Sequence, residues 1–438
     1  MLGIPHPRLT ASLPGVGGEI KTQNEDFVVE EVPLYEPCGG GEHTFVEIEK
    51  TDLATRDAID QMARRLGVSS ARFGYAGLKD RKGVTRQFLS ITLVPQEPVE
   101  KLDIPGIKVL RTRRHTNKLR IGHLRGNRFR IRVRGVHAEA EDRVEAILQP
   151  ILANGMPNYF GQQRFGTRAD AHFVGRAILR RDYRTAVHRF IGYPASSERN
   201  PIVVRARELF MEGRLDEAHQ TFPNLYRDEL AVLHHLRRHS GDYEGGIRRL
   251  RESSRKMFLT AFQSYLFNLT LSRRMALCDG NLAKVFPGDL CYLHRNGAVF
   301  LVDRVDEEQP RADALEISPS GPMFGETMPV PHGVPAEIEA NVVEREGMMP
   351  DEIKRLFPRR SLRGGRRPFR VGVEDLEWSV RDGDLFLSFF LPKGAYATTL
   401  LREITKNEMF LEEYYQGGEE EKHDLWRPAA ADSSGGEA

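Results

Sequence analysis

The chain has 438 residues, 40% of them apolar and 29% charged, with a formal net charge of +2. Those proportions exclude a disordered chain and a membrane bundle, and the length allows two or three domains with sizeable cores. No stretch approaches the roughly 18 apolar residues of a membrane span, and the first residues lack the charged and apolar regions of a signal peptide.

Residues 26–32 (Asp-Phe-Val-Val-Glu-Glu-Val) and 44–50 (Thr-Phe-Val-Glu-Ile-Glu-Lys) have strand character, with Gly39-Gly40-Gly41 as the turn before the second. A helix follows. Thr51 or Asp52 caps it, Ile59, Met62, Ala63 and Leu66 repeat at helical spacing, and Gly67 stops it. Residues 74–83 read as a loop by their glycines and charges, and 87–94 alternates with Leu89, Ile91 and Leu93 on one face. Residues 127–135 make the clearest strand: Phe129, Ile131 and Val133 point one way, and Arg128, Arg130, Arg132 and Arg134 the other. A helix over about 139–152 carries Val144, Ile147, Leu148 and Ile151 in register, with Pro150 bending its end.

After Asn158 the segments 169–181, 201–218, 226–239 and 253–275 are mostly helical. The stretch 257–267, apolar nearly all round, reads as a buried helix. Strand patterns return at 289–303, the basic, Gly-rich 354–370 reads as a connector, strands resume at 370–379 and 383–391, and a helix begins near Ala397. The sum is an α+β domain interrupted by a largely helical insertion, closed by a tail at 416–438 of disordered composition.

The small net charge hides segregation. Arg111–Arg134 holds ten Lys/Arg and no acid, and Lys354–Arg370 holds eight and no acid. Separated blocks of one sign suit a polyanionic partner, with a solvated face as the bland account of either run. The arginine row at Arg128, Arg130, Arg132 and Arg134 has the same two accounts: a solvent-facing sheet, or one that contacts the phosphate backbone of a polyanion.

No P-loop, HExxH, strand-linked GxGxxG or GxSxG is present. Cys38, Cys278 and Cys291 form no CxxC pair or disulfide framework, which points to a reducing cytoplasm and away from zinc. His235 and His239 stand i,i+4 without an acidic third ligand and read as surface histidines. Asp80 is more informative. Lys79, Arg81 and Lys82 flank it on a glycine-bordered loop, and cations held close favour an ionised carboxylate. Such a carboxylate can be a nucleophile or a general base, although by spacing alone an ordinary turn aspartate is the simpler account.

Residues 74–87, Gly-Tyr-Ala-Gly-Leu-Lys-Asp-Arg-Lys-Gly-Val-Thr-Arg-Gln, resemble the active-site motif of the tRNA pseudouridine synthase D family. Residues 21–31, 115–129, 157–166 (with Asn-Tyr-Phe-Gly), 263–268 and 391–403 resemble further blocks in the family's order, so the resemblance spans about 20–405. It implies conversion of uridine to pseudouridine in RNA, most typically uridine 13 of a tRNA, with no cofactor and no metal. It implies a split catalytic domain, 1–157 and 363–438, built on a mixed, largely antiparallel sheet. The family's insertion domain, 158–362, would form the other wall of an RNA cleft. The resemblance makes Asp80 the catalytic aspartate. It places Phe27, Asn127 and Tyr396 at positions that bind the target nucleotide, with Phe129 and Lys21 beside them. Tyr396 stands where relatives commonly carry Phe.

The chemistry is consistent with this. Isomerisation must break the C1′–N1 bond, rotate the detached uracil and form C1′–C5. A carboxylate can attack C1′ or act as a base. Rings and an amide must hold the free base, and phosphate contacts must offset the few kcal/mol of flipping the nucleotide. By pattern alone Phe27 is a core residue. Two rivals remain: a non-catalytic RNA-binding protein or RNA chaperone that keeps the fold, and a glycosyl hydrolase, for which no paired carboxylate stands out. The expected partner is tRNA and not a membrane; the oligomeric state is open, a monomer being plausible.

Overall fold

The computed structural model describes residues 6–407 except 167, 195–197, 199, 358–361 and 363; the tail at 416–438 lies outside the described residues, as does the middle of the second basic run. The strands in chain order are β1 (Gly17–Glu19), β2 (Phe27–Pro33), β3 (His43–Thr51), β4 (Phe73–Tyr75), β5 (Val84–Thr92), β6 (Ile107–His115), β7 (Leu124–Val136), β8 (Met156–Pro157), β9 (Leu290–Leu293), β10 (Val299–Leu301), β11 (Ile317–Met323), β12 (Gly365–Pro368), β13 (Arg370–Val371), β14 (Glu374–Arg381) and β15 (Asp384–Pro392). The helices are α1 (Thr55–Leu66), α2 (Gln96–Glu100), α3 (Ala140–Asn154), α4 (Ala171–Leu179), α5 (Tyr183–Val187), α6 (Pro201–Met211), α7 (Leu215–Thr221), α8 (Arg227–Arg238), α9 (Tyr243–Arg248), α10 (Glu252–Leu277), α11 (Val305–Asp313), α12 (Gly333–Arg345), α13 (Pro350–Leu356) and α14 (Ala397–Thr405).

The main sheet runs β14-β15-β7-β2-β5-β3-β6, with β1 paired to β7 and β4 to β5. Its pairs are antiparallel except β2–β5, which is parallel. This is the mixed, largely antiparallel sheet of the expected α+β fold. Register then sorts the side chains. Phe27 pairs with Ile131, Val29 with Phe129 and Glu31 with Asn127. Val29 also pairs with Thr85, and Thr85 pairs in turn with Lys50. Because strand side chains alternate, all of these share one face.

Two helical layers cover that face. Val144, Ile147, Leu148 and Ile151 of α3 and Leu400, Leu401 and Ile404 of α14 pack on Phe27, Val29, Phe129, Ile131 and Val133. Further along, Ala58, Ile59, Met62 and Ala63 of α1 pack on Val46, Ile48, Leu89 and Ile91. Each of the Val, Leu, Ile, Phe and Met side chains among these contributes roughly 1.5–3 kcal/mol on burial. The chain leaves the main sheet at β8 and returns at β13, and these two strands pair, Met156 opposite Val371 and Pro157 opposite Arg370. Between them stand α4–α13 and a small sheet, β10-β9-β11-β12. Their core gathers on α10, where Phe262, Leu266, Phe267 and Leu271 are fully buried. No described helix is long and apolar enough to cross a membrane.

Local expectations need five corrections. His235 is buried with its Nε2 2.8 Å from Asp242 Oδ2, so it is no surface histidine. Thr51 ends β3 and Asp52 takes φ +49°, so Ala54 is the residue before α1 and offers no side-chain cap. Leu93 leaves its face: with φ +55° it is 63% exposed. Pro150 sits inside α3, which runs on to Asn154 because Ile151 beyond it is fully buried. The segment 354–370 is no mere connector, since it holds the end of α13, then β12 and the start of β13.

Candidate active site

Asp80 lies on the loop between β4 and β5. The Lys79 main-chain N–H donates to Thr55 Oγ1 at 2.9 Å, and that hydroxyl donates to Gln87 Oε1 at 2.8 Å. Lys50 Nζ donates to the Asp80 carbonyl oxygen at 2.9 Å. Gly83 closes the loop at φ +128°, where a Cβ would stand 2.5 Å from the Phe27 carbonyl oxygen. Glycine alone permits that backbone conformation and that approach of β5 to β2.

Both oxygens of the Asp80 carboxylate are held. Oδ2 accepts from Lys21 Nζ and Oδ1 from Gln163 Nε2, each at 3.0 Å, while a third of the side chain stays exposed. The Lys21 ammonium also lies 4.1 Å from the centroid of the Phe27 ring. The cations next to Asp80 in sequence go elsewhere. Lys79 Nζ pairs with the buried Glu31 carboxylate at 2.9 Å and donates to Asn127 Oδ1 at 2.5 Å. Arg81 faces Asp52 at 3.6 Å on the exposed surface, and Lys82 is exposed. The charge beside the carboxylate therefore comes from a residue 59 positions away.

The sequence-predicted residues divide into two groups. Lys21, Phe27, Asp80 and Asn127 meet around the loop. Phe27 is buried, edge-on to Phe129 at 6.3 Å, and Phe129 stacks on Phe389 at 5.3 Å, so these rings belong to the core and the floor of the site together. Asn127 is half-buried; its Oδ1 is taken by Lys79, and among the described residues its Nδ2 donates to none. Tyr396, at the start of α14, joins through the turn that presents Gln163. Its ring is edge-on to Phe160 at 6.1 Å, and a Cβ on Gly161 would stand 2.9 Å from Tyr396 Cδ1. Arg367 secures this corner: its guanidinium sits 4.1 Å from the Phe160 centroid and donates to the Asn158 and Gly394 carbonyls.

Arg128, Arg130, Arg132 and Arg134 are not brought to Asp80. Asn127 and Phe129 face the site, so the alternating arginines face the far side of the sheet. Each meets a carboxylate there: Arg128 with Asp375, Arg130 with Glu30, Arg132 with Asp384 and Arg134 with Asp26. In the second basic run, Arg366 pairs with Glu339 and Arg370 is fully buried against the Ser318 hydroxyl and main-chain carbonyls. Sequence reasoning missed Gln163, Glu31, Lys79, Lys50 and Thr55 as parts of the site. Three of these stand inside the motif blocks quoted above, the one available signal; Lys50 and Thr55 gave none.

Among the described residues no group of three His, Cys, Asp or Glu side chains is placed to hold a metal ion. The arrangement offers one positioned, partly exposed carboxylate, a cation on its edge, an amide donor and an aromatic rim. A profile of the family described as tRNA pseudouridine synthase D (TruD) matches residues 5–404. The chain belongs to the tRNA pseudouridine synthase D family. Members of this family are RNA pseudouridine synthases, enzymes of the isomerase class. The tRNA pseudouridine synthase D of Geotalea daltonii is 44% identical over 410 residues, covering 92% of this chain and all of that protein. That of Thermus thermophilus is 37% identical over 409 residues, covering 92% and 93%. The crystal structure of the Methanosarcina mazei protein assigned as a tRNA pseudouridine synthase D superposes with a TM-score of 0.76 at 30% identity, over 92% of this chain and 96% of that one.

Proposed function

We propose that this protein converts a uridine of tRNA, uridine 13, to pseudouridine in the cytoplasm, with Asp80 as the single catalytic aspartate and no cofactor or metal. The observation that carries the reading is the Asp80 carboxylate, held on both oxygens by Lys21 and Gln163 yet one-third exposed. The target nucleotide is flipped from its stack against the exposed part of the Asp80 carboxylate. Asp80 attacks C1′ or removes a proton from the sugar; either route breaks C1′–N1 and leaves the uracil free to turn. C1′–C5 then forms, the C5 proton is lost and N1 gains one, so the reaction is a net isomerisation. Asn127 Nδ2 and the Tyr396 ring hold the base during its rotation.

The catalytic unit on this reading is the split pair 1–157 and 363–438, and 158–362 is the insertion that walls the RNA cleft. Support for the wall comes from Gln163, which reaches Asp80 from just beyond β8. The arginine row on the far face is held by carboxylates, so the phosphate contacts of the first basic run fall to cations such as Arg120. That residue is exposed and, among the described residues, makes no ion pair.

The test is incubation with unmodified tRNA followed by chemical mapping of pseudouridine. Wild type is expected to modify position 13, and Asp80→Asn to lose activity on the order of 10⁴-fold while tRNA binding persists. Full activity in Asp80→Asn would reject the assignment. Release of free uracil would point to a hydrolase, and tRNA binding with no product from wild type would point to an RNA chaperone.

A further inference from the structure

We propose that Lys50 and Thr55 are positioning residues for this reaction: together they clamp the backbone on both sides of the Asp80 α-carbon and so aim its carboxylate. The proposal rests on the reading of Asp80 as the catalytic group.

Lys50 ends one of the most buried positions of β3, at 1% exposure, on the same face as Glu31 and Asn127. Its ammonium donates to the carbonyl oxygens of Leu53 and Asp80, and makes no direct ion pair among the described residues. Burying an ammonium is costly, and an apolar side chain would fill the space without that cost. What the ammonium adds is a fixed tie between the β3–α1 junction and the Asp80 peptide. Thr55, also 1% exposed, supplies the second tie. Its hydroxyl receives the Lys79 N–H and commits its own proton to Gln87 Oε1, so its orientation is set. With the Lys79 N–H and the Asp80 carbonyl both tied, the two-residue stretch that carries the Asp80 side chain has few directions left to it before Lys21 and Gln163 engage its oxygens. Small displacements of a reacting group cost large factors in rate, so such a clamp acts on the chemical step and not on binding.

Burial pulls the Lys50 pKa from 10.5 down to about 8, partly opposed by the Asp80 carboxylate. The charged groups facing it are Asp80 and Lys79 on the loop and Asp57 on α1, while its register partners Thr85 and Ile107 on β5 and β6 carry no charge. The ammonium is therefore present below about pH 8 and lost above it.

The experiment measures kcat, KM and tRNA affinity on an unmodified tRNA transcript for Thr55→Val, Thr55→Ser, Lys50→Met and wild type across pH 6.5 to 9.5. Thr55→Val is expected to lose about 10- to 100-fold in kcat with KM and tRNA affinity within about threefold, and Thr55→Ser to recover most of it. Wild-type kcat is expected to fall above about pH 8, and Lys50→Met to be slow with that alkaline fall removed. Wild-type kcat in Thr55→Val, or equal loss in Thr55→Ser, overturns the proposal; so does an unchanged alkaline limb in Lys50→Met. If Lys50→Met does not fold, the Thr55 pair decides alone. Activity retained by Asp80→Asn would instead remove the catalytic reading, a separate outcome from failure of the clamp.

Discussion

Lys21 touches two things at once, the Asp80 carboxylate and the face of the Phe27 ring. A charge-assisted hydrogen bond of this kind is worth about 1.5–3 kcal/mol. Lys21→Met keeps much of the side-chain bulk over Phe27 but frees one carboxylate oxygen, so kcat should fall about 10- to 100-fold in steady-state assays while the folded state persists. Gly83 is the opposite case, a position that tolerates no side chain. Its φ of +128° and the 2.5 Å approach of a Cβ to the Phe27 carbonyl mean that Gly83→Ala must push β5 from β2. A loss of about 1–3 kcal/mol in urea unfolding is expected, with activity falling alongside because the same turn carries Asp80.

Among the elements, β7 shows how one strand serves two purposes. Odd positions 127–133 face the site and core, and even positions 128–134 enter a lattice of carboxylates contributed by β2, β15 and the segments beside them. The alternation was legible in the sequence; the acids opposite it, as distant in the chain as Asp375 and Asp384, were not. Helix α10 has a comparable anchor. Arg274 and Asp289 form a two-pronged pair, each side chain 1% exposed, and Asp289 also accepts the Phe286 N–H. Arg274→Met should cost about 3–5 kcal/mol, read as a drop in unfolding midpoint, because it leaves the Asp289 carboxylate buried without its cation.

At the scale of the molecule, buried neutral histidines link stability to pH. His172 is enclosed by Phe165, Phe173 and Tyr265, and burial lowers its pKa from 6.5 to about 3. His6, which bonds Asn268 of α10, is lowered to about 3, chiefly by burial and then by Arg402. Below 6.5 the unfolded chain takes up protons that the folded chain refuses, so stability is full above 6.5 and declines towards 3. The slope is about 1.4 kcal/mol per pH unit for each group. Thermal unfolding between pH 7 and 5 should show this decline, and His172→Phe should make it shallower, leaving the share due to His6. RNA binding is the other property of the whole molecule. The turn carrying Arg120 is tied to the loop that carries Asp80, where the Gly122 N–H donates to the Ala76 carbonyl at 2.8 Å. Arg120→Ala should weaken tRNA binding and reduce the salt slope of log K by about 1.

Periodicity is a property of neighbours in the chain, and the sequence by itself therefore determined what depends on neighbours: the strands at 26–32 and 127–135, the buried helix in the insertion, the α+β class and the ordered motif blocks that pointed to the family. Tertiary structure alone decided the partners. Lys79, Arg81 and Lys82 adjoin Asp80 in sequence, yet Lys21 and Gln163, 59 and 83 positions away, hold its carboxylate. It also decided that the arginine row faces away from the site. The physical reason is register: a strand's own pattern says which residues share a face, and only its pairing with distant strands says what that face meets.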